Sequence, residues 1–197
     1  MDRMPTLQTS RLALVPATAT HLQAELVSRA ALGAALNAEV PTTSWPPELY
    51  DEDAVRYFLS LVLEHPEQSG WGPHYVVRRP IALEMPLLIG VGGFKGAPDE
   101  AESIEVGYAV VPEHQRRGYA TEAVRGWVAL AFASPSVQTI VGHTLPHLTA
   151  SIRVLEQAGF RHAGQGNDLH APAEERVLRY ELSRDTFVSR VATGSAT

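Results

Sequence analysis

Seven consecutive residues, Gln115-Arg116-Arg117-Gly118-Tyr119-Ala120-Thr121, stand where a strand pattern turns into a helix pattern. Before them, Ser103-Ile104-Glu105-Val106-Gly107-Tyr108-Ala109-Val110-Val111 is rich in β-branched and aromatic residues, which predicts a strand. After them Ala120, Val124, Trp127 and Ala131 recur at helical spacing, with Ala123 and Leu130 beside them. Ser134-Pro135 stops that helix, because proline cannot continue it. A turn of this kind leaves backbone N–H groups unpaired at the positive end of a helix dipole. That is a site for an anion, and a diphosphate suits it. Gly118 allows positive φ or a close approach of ligand to backbone, and Ala120 keeps the mouth small. Arg116 and Arg117 add cations able to pair with phosphates.

Gln115-Arg116-Arg117-Gly118-Tyr119-Ala120 resembles the Gln/Arg-x-x-Gly-x-Gly/Ala element of the GNAT superfamily of acetyltransferases. A second segment, Thr149-Ala150-Ser151-Ile152-Arg153-Val154-Leu155-Glu156-Gln157-Ala158-Gly159-Phe160, resembles the second cofactor helix and following strand of the branch that acetylates ribosomal-protein N-termini. The likeness runs over residues 7–182. It implies an α/β fold, a central mixed sheet with helices on both faces, in a single domain whose core is 7–183. It also implies an enzyme that uses acetyl-CoA as cosubstrate. On this resemblance residues 115–121 hold the diphosphate, and the backbone of Val110 and Val111 aligns the pantetheine arm and polarises the thioester carbonyl. The acceptor is then a primary amine, either a protein N-terminal α-amine or a small amine of the aminoglycoside or polyamine kind. A non-catalytic CoA-binding module is the alternative outside this chemistry. A homodimer is expected at the level of the family.

Acetyl transfer to an amine needs a neutral nucleophile, a polarised carbonyl and a proton for the departing thiolate. An α-amino group has a pKa near ~8 and a lysine near ~10.4, so both are largely protonated at neutral pH. A carboxylate, or a water held by one, can take that proton. Glu105 is the candidate: it shares a predicted strand face with Gly107 and Ala109, which are too small to fill the space above them. The other reading of Glu105 is an exposed or salt-bridged strand carboxylate. Ser151 opens the second helix, where a hydroxyl would protonate the thiolate or merely bond to the helix start. Leu148 departs from the branch, which has asparagine there. His143 and His147 flank this region as further polar groups. Trp45 and Tyr75 are candidate walls of an acceptor pocket, against a plain packing role.

Composition narrows the alternatives. The chain has 197 residues, enough for one domain with a sizeable core, and 45% are hydrophobic. Cysteine is missing, which excludes a disulfide, a thiolate zinc site and a cysteine-borne acyl intermediate, and suits a cytoplasmic location. Formal charge is −6, with basic residues never more than two in a row, so a nucleic-acid footprint is not expected. No apolar stretch approaches membrane length, and no membrane association is expected. Eight histidines are scattered without metal-ligand spacing, so no metal is expected. Gly90-Val91-Gly92-Gly93 is glycine-rich, yet no helix pattern follows it, which argues against a nucleotide loop.

The remaining pattern supplies the elements. Residues 7–15 read as a strand with Leu12 and Leu14 on one face. Thr20 is the expected N-cap of a helix carrying Leu22 and Leu26, and the Pro-rich 37–50 is a loop. Asp51 is expected to cap a helix with a Val55, Phe58, Leu59 and Val62 stripe, ending at His65-Pro66. Strands are expected at 75–77, 87–94, 103–111, 137–144, 160–163 and 176–182, and a bulged or mobile connection at 79–86. Gly159 is placed to end the second cofactor helix, and a polar loop joins the last two strands over 165–175. From Arg184 onward no core-forming pattern follows Phe187, and the tail is expected to fray.

Overall fold

A computed structural model describes residues 5–68, 70–166 and 177–194. Most of the expected 165–175 loop and the residue Arg176 lie outside the described residues. Among them one eight-stranded sheet is formed by β1 (Leu7–Gln8), β2 (Leu12–Pro16), β3 (Pro73–Arg78), β4 (Leu87–Phe94), β5 (Ser103–Val110), β6 (Thr139–Thr144), β7 (Arg161–Gly166) and β8 (Val177–Ser183), in the order β1-β2-β3-β4-β5-β6-β8-β7. The β5–β6 pair is parallel and the others are antiparallel. The expected mixed α/β sheet is therefore present.

Helices cover both faces. On one lie α1 (Ala19–Val27), α2 (Arg29–Leu36) and α3 (Glu52–Glu64); on the other, α4 (Tyr119–Ala133) and α5 (Thr149–Ala158). Asp51 caps α3 through Ala54 N–H, as its sequence position requires. The first helix starts two residues earlier than expected. Thr18, not Thr20, is the cap, in a reciprocal pair with His21, and Ser28 then breaks the segment into two helices by capping α2.

The core is widest between α4 and the sheet. Val124, Trp127 and Ala131 have no exposed surface. The three glycines of residues 90–93, Gly90, Gly92 and Gly93, lie within β4, and Gly92 is there for close approach: a Cβ on it would stand 2.6 Å from the Trp127 ring. Beside Trp127 sits His74, 1% exposed, with Nδ1 3.2 Å from Gly72 O. Burial pulls the His74 pKa down to about 4 from 6.5. The folded protein thus keeps this imidazole neutral over a range in which the unfolded chain charges it. Its contribution to stability is complete above about pH 6.5 and is lost as pH falls toward 4. Acidifying from pH 7.5 to 4.5 is expected to cost about 2–3 kcal/mol from this group. Thermal unfolding against pH checks it: His74→Gln should flatten the decline in that window.

The C-terminal segment differs from expectation. Instead of a frayed tail it forms α6 (Arg184–Ala192), capped by Ser183 through Thr186 N–H. The cause is tertiary. Arg184 donates to the carbonyls of Phe132, in the last turn of α4, and of Ser134 and Val137 just after it, and Phe187 packs on Phe132 with ring centroids 5.0 Å apart. At the other end, the 79–86 connection follows a β-bulge at Val76/Val77 and leaves Ile81, Leu83 and Met85 exposed. No helix among the described residues is long and apolar enough to cross a membrane.

Candidate active site

The site begins with a defect in the sheet. β5 and β6 pair only from Ser103↔Thr139 to Glu105↔Val141, although β5 runs on to Val110 and β6 to Thr144. Beyond Glu105 the two strands part, and their facing backbone groups lack a strand partner. Val110 lies opposite Gly90, while the flanking Val111 N–H donates to Ile89 O at 2.9 Å. By the alternation of an antiparallel ladder, the peptide groups of Val110 and Tyr108 point instead into the gap. Gln115 Nε2 donates to Val110 O at 2.9 Å, which confirms that this carbonyl faces away from β4. The two valines expected to act alike therefore differ: Val110 offers its N–H to the gap, whereas the Val111 N–H is already bonded and its side chain is fully buried.

The glycine-arginine turn lies directly above. A single 3-10 turn at Pro112–His114 leads into Gln115; Arg116 and Gly118 then take left-handed φ values of 58° and 77°. Gly118 stands at the N-cap of α4 and no side chain caps the helix. The N–H groups of Tyr119, Ala120 and Thr121 are those that an α-helix leaves without internal acceptors. Arg116 and Arg117 are exposed beside them. A diphosphate fits such a cradle by charge and by donor geometry. Two side chains within the cradle segment point away from it. Tyr119 is 9% exposed beneath the Arg11 guanidinium, and Thr121 donates to Gln157 Oε1 at 3.1 Å, tying α4 to α5. Only their main chain remains available to an anion.

A brace missed by the sequence pattern holds this turn. Glu122, in the first turn of α4, accepts from Thr9 Oγ1 at 2.6 Å, from Arg11 N at 2.7 Å and from Arg11 Nε at 2.7 Å. Arg11 Nη1 continues to Arg117 O at 3.0 Å. These bonds hold the Glu122 carboxyl below the usual range despite the opposing effect of burial, the largest single influence. A cleft of about 600 Å³ opens beside the brace, between Arg11, Arg125 and Gln157. The signal in the sequence was faint: an acidic residue in a helix's first turn and an arginine interrupting a strand.

On the α5 side of the sheet Tyr108 hydroxyl lies 3.1 Å from Ser151 Oγ and donates to Ser151 O at 3.0 Å. Burial raises the Tyr108 pKa far above the ordinary phenol value, so it stays a proton-bearing group. The predicted Ser151 thus lies at the gap together with a tyrosine that sequence reading had placed only as a strand residue. Leu148 occupies the N-cap of α5 and offers no side-chain cap.

On the opposite face Glu105 meets Lys95 Nζ at 2.5 Å and His143 Nδ1 at 3.1 Å. Burial acts to raise its pKa, but the bonds and charges of His143 and Lys95 outweigh that and hold the carboxyl below the usual range. The salt-bridged reading of Glu105 is met, and at the apex of the gap. Trp45 and Tyr75 are not pocket walls. Trp45 is 4% exposed and Tyr75 has no exposed surface. With Tyr50 they converge on Glu25 of α1, at 2.8 Å from Trp45 Nε1, 3.0 Å from Tyr50 and 2.6 Å from Tyr75. Burial is why: a carboxylate drawn into the interior needs donors, and three aromatic residues supply them. His147 is exposed. Among the described residues no group of three or more His, Asp or Glu side chains is arranged to hold a metal.

Residues 11–161 match the acetyltransferase (GNAT) domain, and the chain belongs to that family. The uncharacterized N-acetyltransferase YjdG of Bacillus subtilis strain 168 is 28% identical over 116 residues, 59% of this chain and 66% of YjdG. The chain spans 54–66% of the lengths of the curated relatives it matches. Among solved structures, RimL, a ribosomal L7/L12 α-N-protein acetyltransferase in complex with coenzyme A, is similar at a TM-score of 0.64 and 17% identity, over 92% of this chain and 99% of that one. A chimera of the spermidine N-acetyltransferase SpeG from Vibrio cholerae and hSSAT is similar at 0.63 and 17%, over 92% and 100%. At such identities the likeness is one of fold.

Proposed function

We propose that this protein transfers the acetyl group of acetyl-CoA to a primary amine, by direct attack within a ternary complex. The observation that carries the reading is the parting of β5 and β6 beyond Glu105, directly below an uncapped helix N-terminus with two left-handed residues. Residues 115–121 hold the diphosphate through main-chain N–H groups, and the pantetheine arm lies along the free edge of β5. Val110 N–H polarises the thioester carbonyl. The amine nitrogen bonds to that carbon and the C–S bond breaks. An ammonium acceptor loses two protons in the process: one goes to a base and then to solvent, the other ends on the sulfur by way of the Ser151 hydroxyl. Glu105 assists the first of these transfers. No cysteine exists to carry the acyl group, which favours direct transfer.

The acceptor we favour is a protein N-terminal α-amine, on the resemblance of residues 149–160 to that branch; RimL acts on such a terminus, and SpeG, of the same fold, on spermidine. A small amine is the second reading. A non-catalytic CoA-binding module is a third, favoured by Leu148, which leaves the start of α5 without a side-chain cap. One experiment separates all three: thiol release from acetyl-CoA over a panel of N-terminal peptides, polyamines and aminoglycosides, beside thermal unfolding with CoA. CoA at ~100 times its Kd is expected to stabilise by about 2.7 kcal/mol. Stabilisation without thiol release on any amine would leave the binding module. No stabilisation at all would remove the cofactor site.

A further inference from the structure

A glycine inside a strand is usually explained by what stands where its side chain would be. In this sheet that accounts for four of them. A Cβ would stand 2.4 Å from Ala109 O on Gly90, 2.6 Å from Trp127 on Gly92, 2.7 Å from Leu155 on Gly142 and 2.4 Å from His143 on Gly166. Gly93 and Gly164 have φ values of 124° and 103°, a region that favours glycine. Gly107 of β5 fits neither account. Its φ is not positive. Apart from its chain neighbours, a Cβ there would meet only Lys95 Cε among the described residues, at an ordinary contact distance of 3.7 Å. The fold does not require glycine at this position, yet the position carries the residue that weakens a strand interior.

The unfilled space borders the proposed site. Gly107 lies two residues past Glu105↔Val141, the last β5–β6 pair, so β6 has already parted from the β5 edge beside it. Its peptide link to Tyr108 carries one of the N–H groups that face the gap. Register sets the face. Gly107 shares a side of β5 with Glu105 and Ala109; Ala109 lies opposite Val91, and Val91 opposite Tyr75, whose hydroxyl reaches Glu25 of α1. The space is therefore on the α1–α3 face, whereas the hydroxyls of Tyr108 and Ser151 meet on the α4–α5 face. Gly107 is only half-buried although β5 is an interior strand, and the neighbouring Glu105 carboxylate is 25% exposed. We infer that the acceptor reaches the thioester across Gly107, from the α1–α3 face, and that the missing side chain makes room for the carbon bearing the amine. Gly107 is thus a specificity-determining residue, setting how bulky the acceptor can be beside its nitrogen. This rests on the acetyl-transfer reading and deepens it. An N-terminal α-amine sits on a branched carbon and a polyamine on an unbranched one, so the first needs the space more.

The test compares wild type, Gly107→Ala and Gly107→Val as full chains, with acetyl-CoA and the amines of the panel that wild type acetylates. Gly107→Ala should raise the acceptor KM about tenfold, the lower end of the discrimination produced by one added carbon in a close-fitting site. Gly107→Val should raise it further, and the loss should be steeper for amines on a branched carbon. Two readouts are independent of turnover. Calorimetric titration of acceptor into the CoA-loaded protein should weaken in parallel, while the Kd for CoA stays at its wild-type value. The Tm of Gly107→Ala should equal or exceed that of wild type, because alanine restricts the unfolded chain more than glycine does. An unchanged acceptor KM in both variants overturns the inference. A weakened Kd for CoA or a lowered Tm in Gly107→Ala also overturns it, by giving the space to the cofactor or to the fold, and leaves acetyl transfer standing. A wild type that binds CoA and acetylates no amine ends the acetyl-transfer reading and this inference with it.

Discussion

Glu122→Ala is expected to raise the KM for acetyl-CoA, and the Kd for CoA, by about tenfold while kcat changes much less. Glu122 touches no part of the proposed cofactor path. It binds Thr9 and Arg11, and Arg11 in turn binds Arg117 O and lies over the Tyr119 ring. Those contacts fix the turn in which Arg116 and Gly118 hold positive φ before any anion arrives. Hydrogen bonds to charged groups contribute about 1.5–3 kcal/mol. The half-exposed Arg11 argues for the lower end of that range. About 1.4 kcal/mol is a factor of ten in affinity. The loss falls on binding because a loosened turn must be ordered at the moment the diphosphate docks. Glu122→Gln, which keeps an acceptor oxygen, should fall between. Isothermal titration with CoA together with steady-state kinetics decides it: an unchanged Kd with a lowered kcat would mean that the brace serves the chemistry and not the cradle.

The largest effect on stability is expected at Trp127. Trp127→Ala should lower the unfolding free energy by about 3–5 kcal/mol, the range for removing a fully buried aromatic. For a domain of this size that is a fall in Tm of roughly 6–20 °C. The ring stands on Gly92 and beside His74, at the centre of the contact between α4 and the sheet. Trp127 Nε1 has no hydrogen-bond partner among the described residues, so Trp127→Phe loses volume without orphaning an acceptor and should cost clearly less. Urea denaturation of both variants measures the difference. Equal losses would locate the stabilisation in the indole N–H, contrary to the packing account.

The parts of the molecule that the sequence made legible share a physical cause: each is local. The strand-turn-helix at 103–133 could be read because β-branched alternation, a glycine and a helical apolar stripe all act within a few residues of one another. Asp51 as a cap, Ser134-Pro135 as a stop and Gly159 as a left-handed end are of the same kind, and the structure has all three. Thr18 was the exception, since two hydroxyls two residues apart compete for one cap and the partner, His21, is an uncommon one.

Tertiary structure decided what happens between distant residues. Nothing near Arg184 indicates a helix, because the acceptors that order it belong to the end of α4 and the turn after it, about fifty residues earlier in the chain. Trp45 and Tyr75 have the composition of a pocket wall, yet a carboxylate from α1 turned them inward. Pairing between parallel strands is a long-range property, so the point at which β5 leaves β6 could not be read from either strand alone. The same holds for the company Glu105 keeps. Its strand face followed from a period of two, but Lys95 and His143 reach it from other segments, and those neighbours set how readily the carboxylate takes a proton.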